Sequence, residues 1–87
     1  MLTLTIYSRP ACHLCDEMKA VVLPLAAEFG AVVEEIDIDT DPALAAQYGL
    51  EIPVLLLNGR KAFKYRVTAG ELRARLRRAC SGIIASR

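Results

Sequence analysis

With 87 residues, 54% of them hydrophobic, the chain has room for one domain built on one core. Three cysteines are too few and too odd in number for a disulfide-stapled secreted scaffold, and no stretch approaches the roughly 18 apolar residues of a membrane span. The net charge of +1 hides a gradient: residues 1–59 carry two basic and nine acidic side chains, whereas residues 60–87 carry nine basic and one acidic.

Leu2 to Tyr7 is an apolar run that reads as a strand. After the Cys12 turn a helical pattern continues to about Phe29, with Leu14, Met18, Val21, Leu25 and Phe29 in one stripe and Gly30 as a left-handed cap. Pro24 lies inside that pattern, where it deletes a backbone hydrogen bond, so a bend within a single helix is expected. Val32 to Asp39 reads as an edge strand, Ile36 and Ile38 on one face and Glu35, Asp37 and Asp39 on the other. Asp41 caps a short helix opened by Pro42 and ended by Gly49. Ile52-Pro53 leads into Val54 to Leu57, which is apolar on both faces and therefore central in a sheet. Asn58-Gly59 is the signal for a type I′ hairpin turn into a strand from Arg60 to Val67. Thr68-Ala-Gly-Glu71 matches a capping box for a last helix that buries Leu72, Leu76, Ala79 and Ile83. The order is β-α-β-α-β-β-α. A crossover helix makes the first two strands parallel, and the hairpin strands pair antiparallel. The expected fold is thus α/β, a single domain over residues 1–87 with a four-stranded mixed sheet and helices on both faces.

The chemistry concentrates in Arg9-Pro-Ala-Cys12-His-Leu-Cys15, on the first strand-to-helix turn. A helix start carries unpaired N–H groups and the positive end of the macrodipole, which favour a thiolate at Cys12. Cysteines in this setting titrate at roughly 3.5 to 7.5 instead of about 8.5. Cys15 lies three residues on, on the same side of the first helical turn, within reach of a sulfur attached to Cys12. Such a pair reads as a thioredoxin-like redox motif, and cycling rather than structural cysteines fit a reducing compartment, here the cytoplasm. The start Met1-Leu-Thr-Leu-Thr-Ile carries no charged leader, which fits the same expectation.

At this point the chain resembles a known family. Ile6-Tyr7-Ser8-Arg9 leading into Cys12-His-Leu-Cys15, Ile52-Pro53-Val54 opening a buried strand, and the element order are similar to glutaredoxins and small glutaredoxin-like proteins of the thioredoxin superfamily. The likeness covers residues 2 to about 80. It implies a thioredoxin-like fold and a thiol–disulfide oxidoreductase active in electron transport, with Cys12 as nucleophile and Cys15 as resolving thiol. It also implies that Pro53 is held in cis beside the cysteines and that the Ile52 backbone pairs with a bound peptide or glutathione. Arg9 would face the glutathione carboxylates, and Thr68 lies in the region of the glutamyl site. No cofactor is expected to be bound, and glutathione is a candidate reductant or co-substrate. The implied partners are protein or low-molecular-weight disulfides, together with glutathione or a thioredoxin reductase, on a monomer with no membrane or nucleic-acid partner. The sequence departs from the family pattern in having His13-Leu14 between the cysteines instead of Pro-Tyr, and Arg66-Val-Thr68-Ala where the family has Gly-Gly.

Other accounts remain open from the residues alone. Cys12 and Cys15 could be a buried structural pair, or Cys12 could carry an iron–sulfur cluster or metal with a ligand from another chain or from glutathione. A redox-inactive interaction module with a vestigial site is the third. His13 reads as solvent-exposed, and Asp16 and Glu17 complement the helix start while opposing a thiolate. Arg73, Arg75, Arg77 and Arg78 read as a solvated helix face, without the interleaved aromatic residues that RNA or single-stranded DNA would need. Cys80 reads as an apolar filler, and Tyr7 and Tyr65 as strand packing.

Overall fold

The computed structural model describes the backbone of residues 2–85 and the side chains of residues 2–80. Strand β1 (Thr3–Ser8) buries Leu4, Ile6 and Ser8 and leaves Thr3, Thr5 and Tyr7 half-buried on its other face, the period-2 pattern of a sheet covered on both sides. It pairs in parallel with β2 (Val32–Asp37) and antiparallel with β3 (Val54–Leu57), which pairs antiparallel with β4 (Arg60–Lys64). The strand order is β2-β1-β3-β4, so the continuously apolar β3 is central, as its sequence requires.

Helix α1 (His13–Phe29) passes without interruption through Pro24 and ends at Gly30, whose φ of 67° places it in the left-handed region that favours glycine. Its buried face is Cys15, Met18, Val22, Leu25 and Ala26. The expected stripe was centred elsewhere: Leu14, Val21 and Phe29 are only half-buried and flank the contact line. Large apolar residues set the stripe read from sequence, whereas the buried face also includes the smaller Cys15 and Ala26. Beneath α1 lies the main core, in which Leu4, Ile6, Leu55, Val67, Leu72 and Leu76 meet the helix. Fully burying each such side chain stabilises the fold by about 1.5 to 3 kcal/mol.

Strand β2 is an edge strand but stops at Asp37, two residues before the expected Asp39. The Asp37 carboxylate accepts the Asp39 N–H at 2.9 Å, and Thr40 Oγ1 donates to the Asp37 carbonyl at 2.7 Å. These two bonds turn Ile38–Thr40 into a short 3-10 turn and drive Ile38 into complete burial. Helix α2 (Pro42–Tyr48) follows, with the Asp41 carboxylate accepting the Ala43 N–H at 2.9 Å. Tyr48 packs on Tyr7 with ring centroids 4.8 Å apart. Tyr7 points away from the Leu4 and Ile6 face, so α2 covers the side of the sheet opposite α1.

At the hairpin both Asn58 (φ 51°) and Gly59 (φ 84°) take positive φ, as a type I′ turn requires. Strand β4 ends at Lys64 rather than at the expected Val67, because Tyr65 adopts φ 68° and leaves the extended region. Val67 instead enters the core. Helix α3 (Ala69–Ala85) opens on a complete capping box: Glu71 Oε1 accepts from the Thr68 N–H at 3.1 Å and the Thr68 hydroxyl at 3.0 Å, and the Glu71 N–H donates to Thr68 Oγ1 at 3.1 Å. Leu72 and Leu76 are buried and Ala79 half-buried, as expected, while Ile83 lies outside the described side chains.

Candidate functional site

The turn between β1 and α1 presents the two cysteines. Cys12 is the N-cap residue of α1 in an extended conformation (φ −107°, ψ 110°), and the preceding Ala11 has φ 57°. Cys12 and Cys15 are joined as a disulfide with their Cα atoms 5.2 Å apart. Cys12 Sγ accepts the Cys15 N–H at 3.1 Å, and the Cys12 carbonyl accepts the Asp16 N–H at 3.1 Å. A sulfur thus takes the place that a serine or aspartate oxygen takes in an ordinary cap. Exposure separates the pair: Cys12 is half-buried and Cys15 is 1% exposed. Of the two, Cys12 is therefore the one in contact with solvent. His13 is exposed.

On the β2 side of the turn lies a polar cleft of about 350 Å³ lined by Ser8, Pro10, Ala11, Asp16, Lys19 and Glu35, among others. The buried Ser8 hydroxyl donates to Glu35 Oε2 at 3.0 Å, and Lys19 Nζ sits 2.9 Å from the same oxygen and 3.5 Å from Asp16 Oδ1. The hydrogen bond to Glu35 raises the Lys19 pKa above its ordinary value. The reciprocal bond from Lys19 lowers that of Glu35, against a smaller upward push from burial. Lys19 therefore offsets both Asp16 and Glu35 near the helix start, where free carboxylates would oppose a thiolate.

Arg9, expected to face substrate carboxylates, has its Nε–H shared between the two Asp39 oxygens at 2.9 and 3.1 Å, and its outer nitrogen reaches the end of α2 at Gly49. Both partners of that ion pair are more than a third exposed. Pro53 is fully buried and the Ile52–Pro53 bond is cis. Ile52 is half-buried, and among the described residues neither its N–H nor its C=O meets a protein partner. Thr68 uses its hydroxyl and N–H in the α3 cap and lines a second cleft, of about 410 Å³, with Glu17, Met18 and Val21 of α1. Among the described residues no group of three or more His, Cys, Asp or Glu side chains is placed to hold a metal ion.

The reading from sequence missed the Ser8–Glu35–Lys19 cluster and the role of Tyr65 at the end of β4. The first depends on Glu35 lying opposite Ile6 in the parallel register, a pairing that no local pattern encodes. The second depends on a backbone angle.

The sequence model of the glutaredoxin-like domain (DUF836) matches residues 3–77. The chain is 30% identical over 82 residues to the uncharacterized protein Rv0508 of Mycobacterium tuberculosis, spanning 88% of this chain and 84% of that one. A structural-genomics target protein from X. campestris is similar in structure, with a TM-score of 0.66 and 37% identity over 84% of this chain and 93% of its own. A mutant thioredoxin from Halobacterium salinarum NRC-1 gives a TM-score of 0.63 and 28% identity over 86% of this chain and 71% of its own.

Proposed function

The chain belongs to the glutaredoxin-like domain family, with a thioredoxin-like fold, and on that premise we propose that it is a thiol–disulfide oxidoreductase with Cys12 as nucleophile and Cys15 as resolving thiol. The observation that carries this reading is the sulfur cap: a half-exposed Cys12 on the first turn of α1 receiving the Cys15 N–H, with Cys15 buried behind it.

In the dithiol form the Cys12 thiolate attacks one sulfur of a substrate disulfide. A bond forms between Cys12 Sγ and that sulfur, the substrate S–S bond breaks, and the departing thiolate takes a proton from water. Cys15, deprotonated in turn, attacks Cys12 Sγ, forms the intramolecular disulfide and expels the second substrate thiolate. Two electrons pass from the protein to the substrate. Two electrons from an external thiol reductant then restore the dithiol. Once Cys12 is a thiolate, the Cys15 N–H becomes a charge-assisted donor, roughly twice as strong as a neutral one.

Protein or low-molecular-weight disulfides are the substrate class, in a reducing compartment such as the cytoplasm. Glutathione is a candidate reductant, with Arg9 and the Thr68 end of α3 bracketing the cysteines and the Ile52 main chain pairing with the bound chain. Among the described residues no helix is long and apolar enough to cross a membrane. Supplying electrons to the same model disulfide from glutathione with glutathione reductase, and separately from thioredoxin reductase, tests the assignment: turnover with either supports it and names the reductant. Titratable thiols with no turnover from either source would overturn it.

A further inference from the structure

Tyr65 has a conformation that its side chain disfavours. It sits at φ 68°, where the Cβ of an L-residue crowds its own backbone and a bulky side chain is a genuine outlier. The Arg66 N–H donates to the Lys64 carbonyl at 2.8 Å, closing a three-residue turn about Tyr65; with positive φ at its centre this is the rare, strained form of the γ-turn. Glycine would occupy the position without that crowding, so what tyrosine contributes here lies in its side chain and its contacts.

What it does is visible in its bonds. The Tyr65 N–H donates to the Pro53 carbonyl at 2.8 Å, and its hydroxyl donates to the Leu50 carbonyl at 3.2 Å. One residue therefore ties both ends of the loop that carries Glu51 and Ile52. Glu51 is held separately, its N–H donating to the Tyr48 carbonyl at 2.8 Å and its side chain bound by Lys61 Nζ at 2.6 Å, which leaves Ile52, among the described residues, as the loop residue with both N–H and C=O unengaged.

We propose that Tyr65 is a positioning residue for polypeptide substrates: the brace from its strained turn to Leu50 and Pro53 holds the Ile52 main chain as a ready-made strand edge at the end of the sheet where Tyr7 pairs with Val54 and β1 runs into the cysteine turn. The inference rests on the oxidoreductase reading above and adds to it a positioning residue outside the cysteine turn. An extended chain gains main-chain hydrogen bonds from a fixed edge, whereas a small disulfide without peptide groups gains none. Fixing the edge in advance spares the complex the ordering cost of a mobile loop.

The test compares the full chain with Tyr65→Phe, which removes only the hydroxyl, and Tyr65→Gly, which accepts positive φ without strain. Each is assayed on a disulfide-linked peptide and on hydroxyethyl disulfide, and the exchange of the two hydrogen-bonded amides at the loop, those of Glu51 and of residue 65, is followed. Both variants should raise KM for the peptide about three- to tenfold, the range of one net hydrogen bond, with kcat little changed. The ratio of peptide KM to small-disulfide KM should rise by the same factor, and both amides should exchange faster. Equal KM changes for the two substrates, or unchanged peptide KM with unchanged exchange, would overturn the proposal. A wild type that reduces neither substrate would overturn the oxidoreductase reading and the substrate role with it, while the exchange contrast would still decide whether the brace exists.

Discussion

The main-chain N–H of Cys15 lies 3.1 Å from Cys12 Sγ, so the donor that would stabilise a Cys12 thiolate is fixed by the helix and does not depend on the Cys15 side chain. Replacing Cys15 with serine keeps that amide in place. Reduced Cys15→Ser should therefore react with iodoacetamide along a pH profile whose midpoint falls within roughly 3.5 to 7.5, not near 8.5. A midpoint at the ordinary thiol value would mean that cap and macrodipole do not activate the sulfur.

Arg9 is shared between two demands. Its Nε–H bonds to Asp39 hold it toward β2 and α2, while charge makes it the basic group expected to meet an anionic substrate. Arg9→Ala should raise KM for glutathione-bearing disulfides about two- to fivefold, the range of an exposed ion pair, and leave neutral disulfides unaffected. Asp39→Asn should shift the same KM downward by releasing the guanidinium, and high salt should shrink both effects. Similar responses from charged and neutral substrates would assign Arg9 to holding the chain alone.

The Lys19–Glu35 pair gives stability a defined pH dependence. The Glu35 pKa is lowered in the folded chain, chiefly by the bond from Lys19, so the contribution is present above the ordinary carboxylate range and is lost as pH falls through the lowered value. The Lys19 pKa is raised, so its side of the contribution is present below the ordinary lysine value and is lost only as pH rises through the raised one. Both groups are partly exposed, and the effect is screened accordingly. Glu35→Gln should unfold at lower urea than the wild type near neutral pH, with the gap closing in acid. A gap of constant size down to strongly acidic pH would show that the pair contributes through packing and not through charge.

Features set by local chemistry were legible in the sequence. Gly30, Asp41-Pro42, Asn58-Gly59 and Thr68 with Glu71 each act within four residues, and each forms the cap or turn its residue types favour. Strand orientation followed because a helical crossover forces β1 and β2 parallel and a two-residue turn forces β3 and β4 antiparallel. The cysteine turn was legible because strand, spacing and helix start are contiguous. Boundaries were misplaced where a side chain competed with the pattern: Ile36 and Ile38 continue the apolar alternation, but the Asp37 carboxylate captures the Asp39 amide and ends the strand. The Ser8–Glu35 bond spans 27 residues and the Tyr65–Leu50 bond spans 15 with an unusual φ at Tyr65, so neither has a local signature.

The most direct test of the central claim is intact-mass trapping with the two single cysteine variants, each reduced and then mixed with a disulfide-linked peptide. The half-exposed Cys12 attacks and the buried Cys15 releases, so Cys15→Ser should accumulate a mixed disulfide on Cys12 while Cys12→Ser gains no mass and reduces nothing. Equal trapping by both variants, or trapping by Cys12→Ser alone, would contradict the assignment of roles.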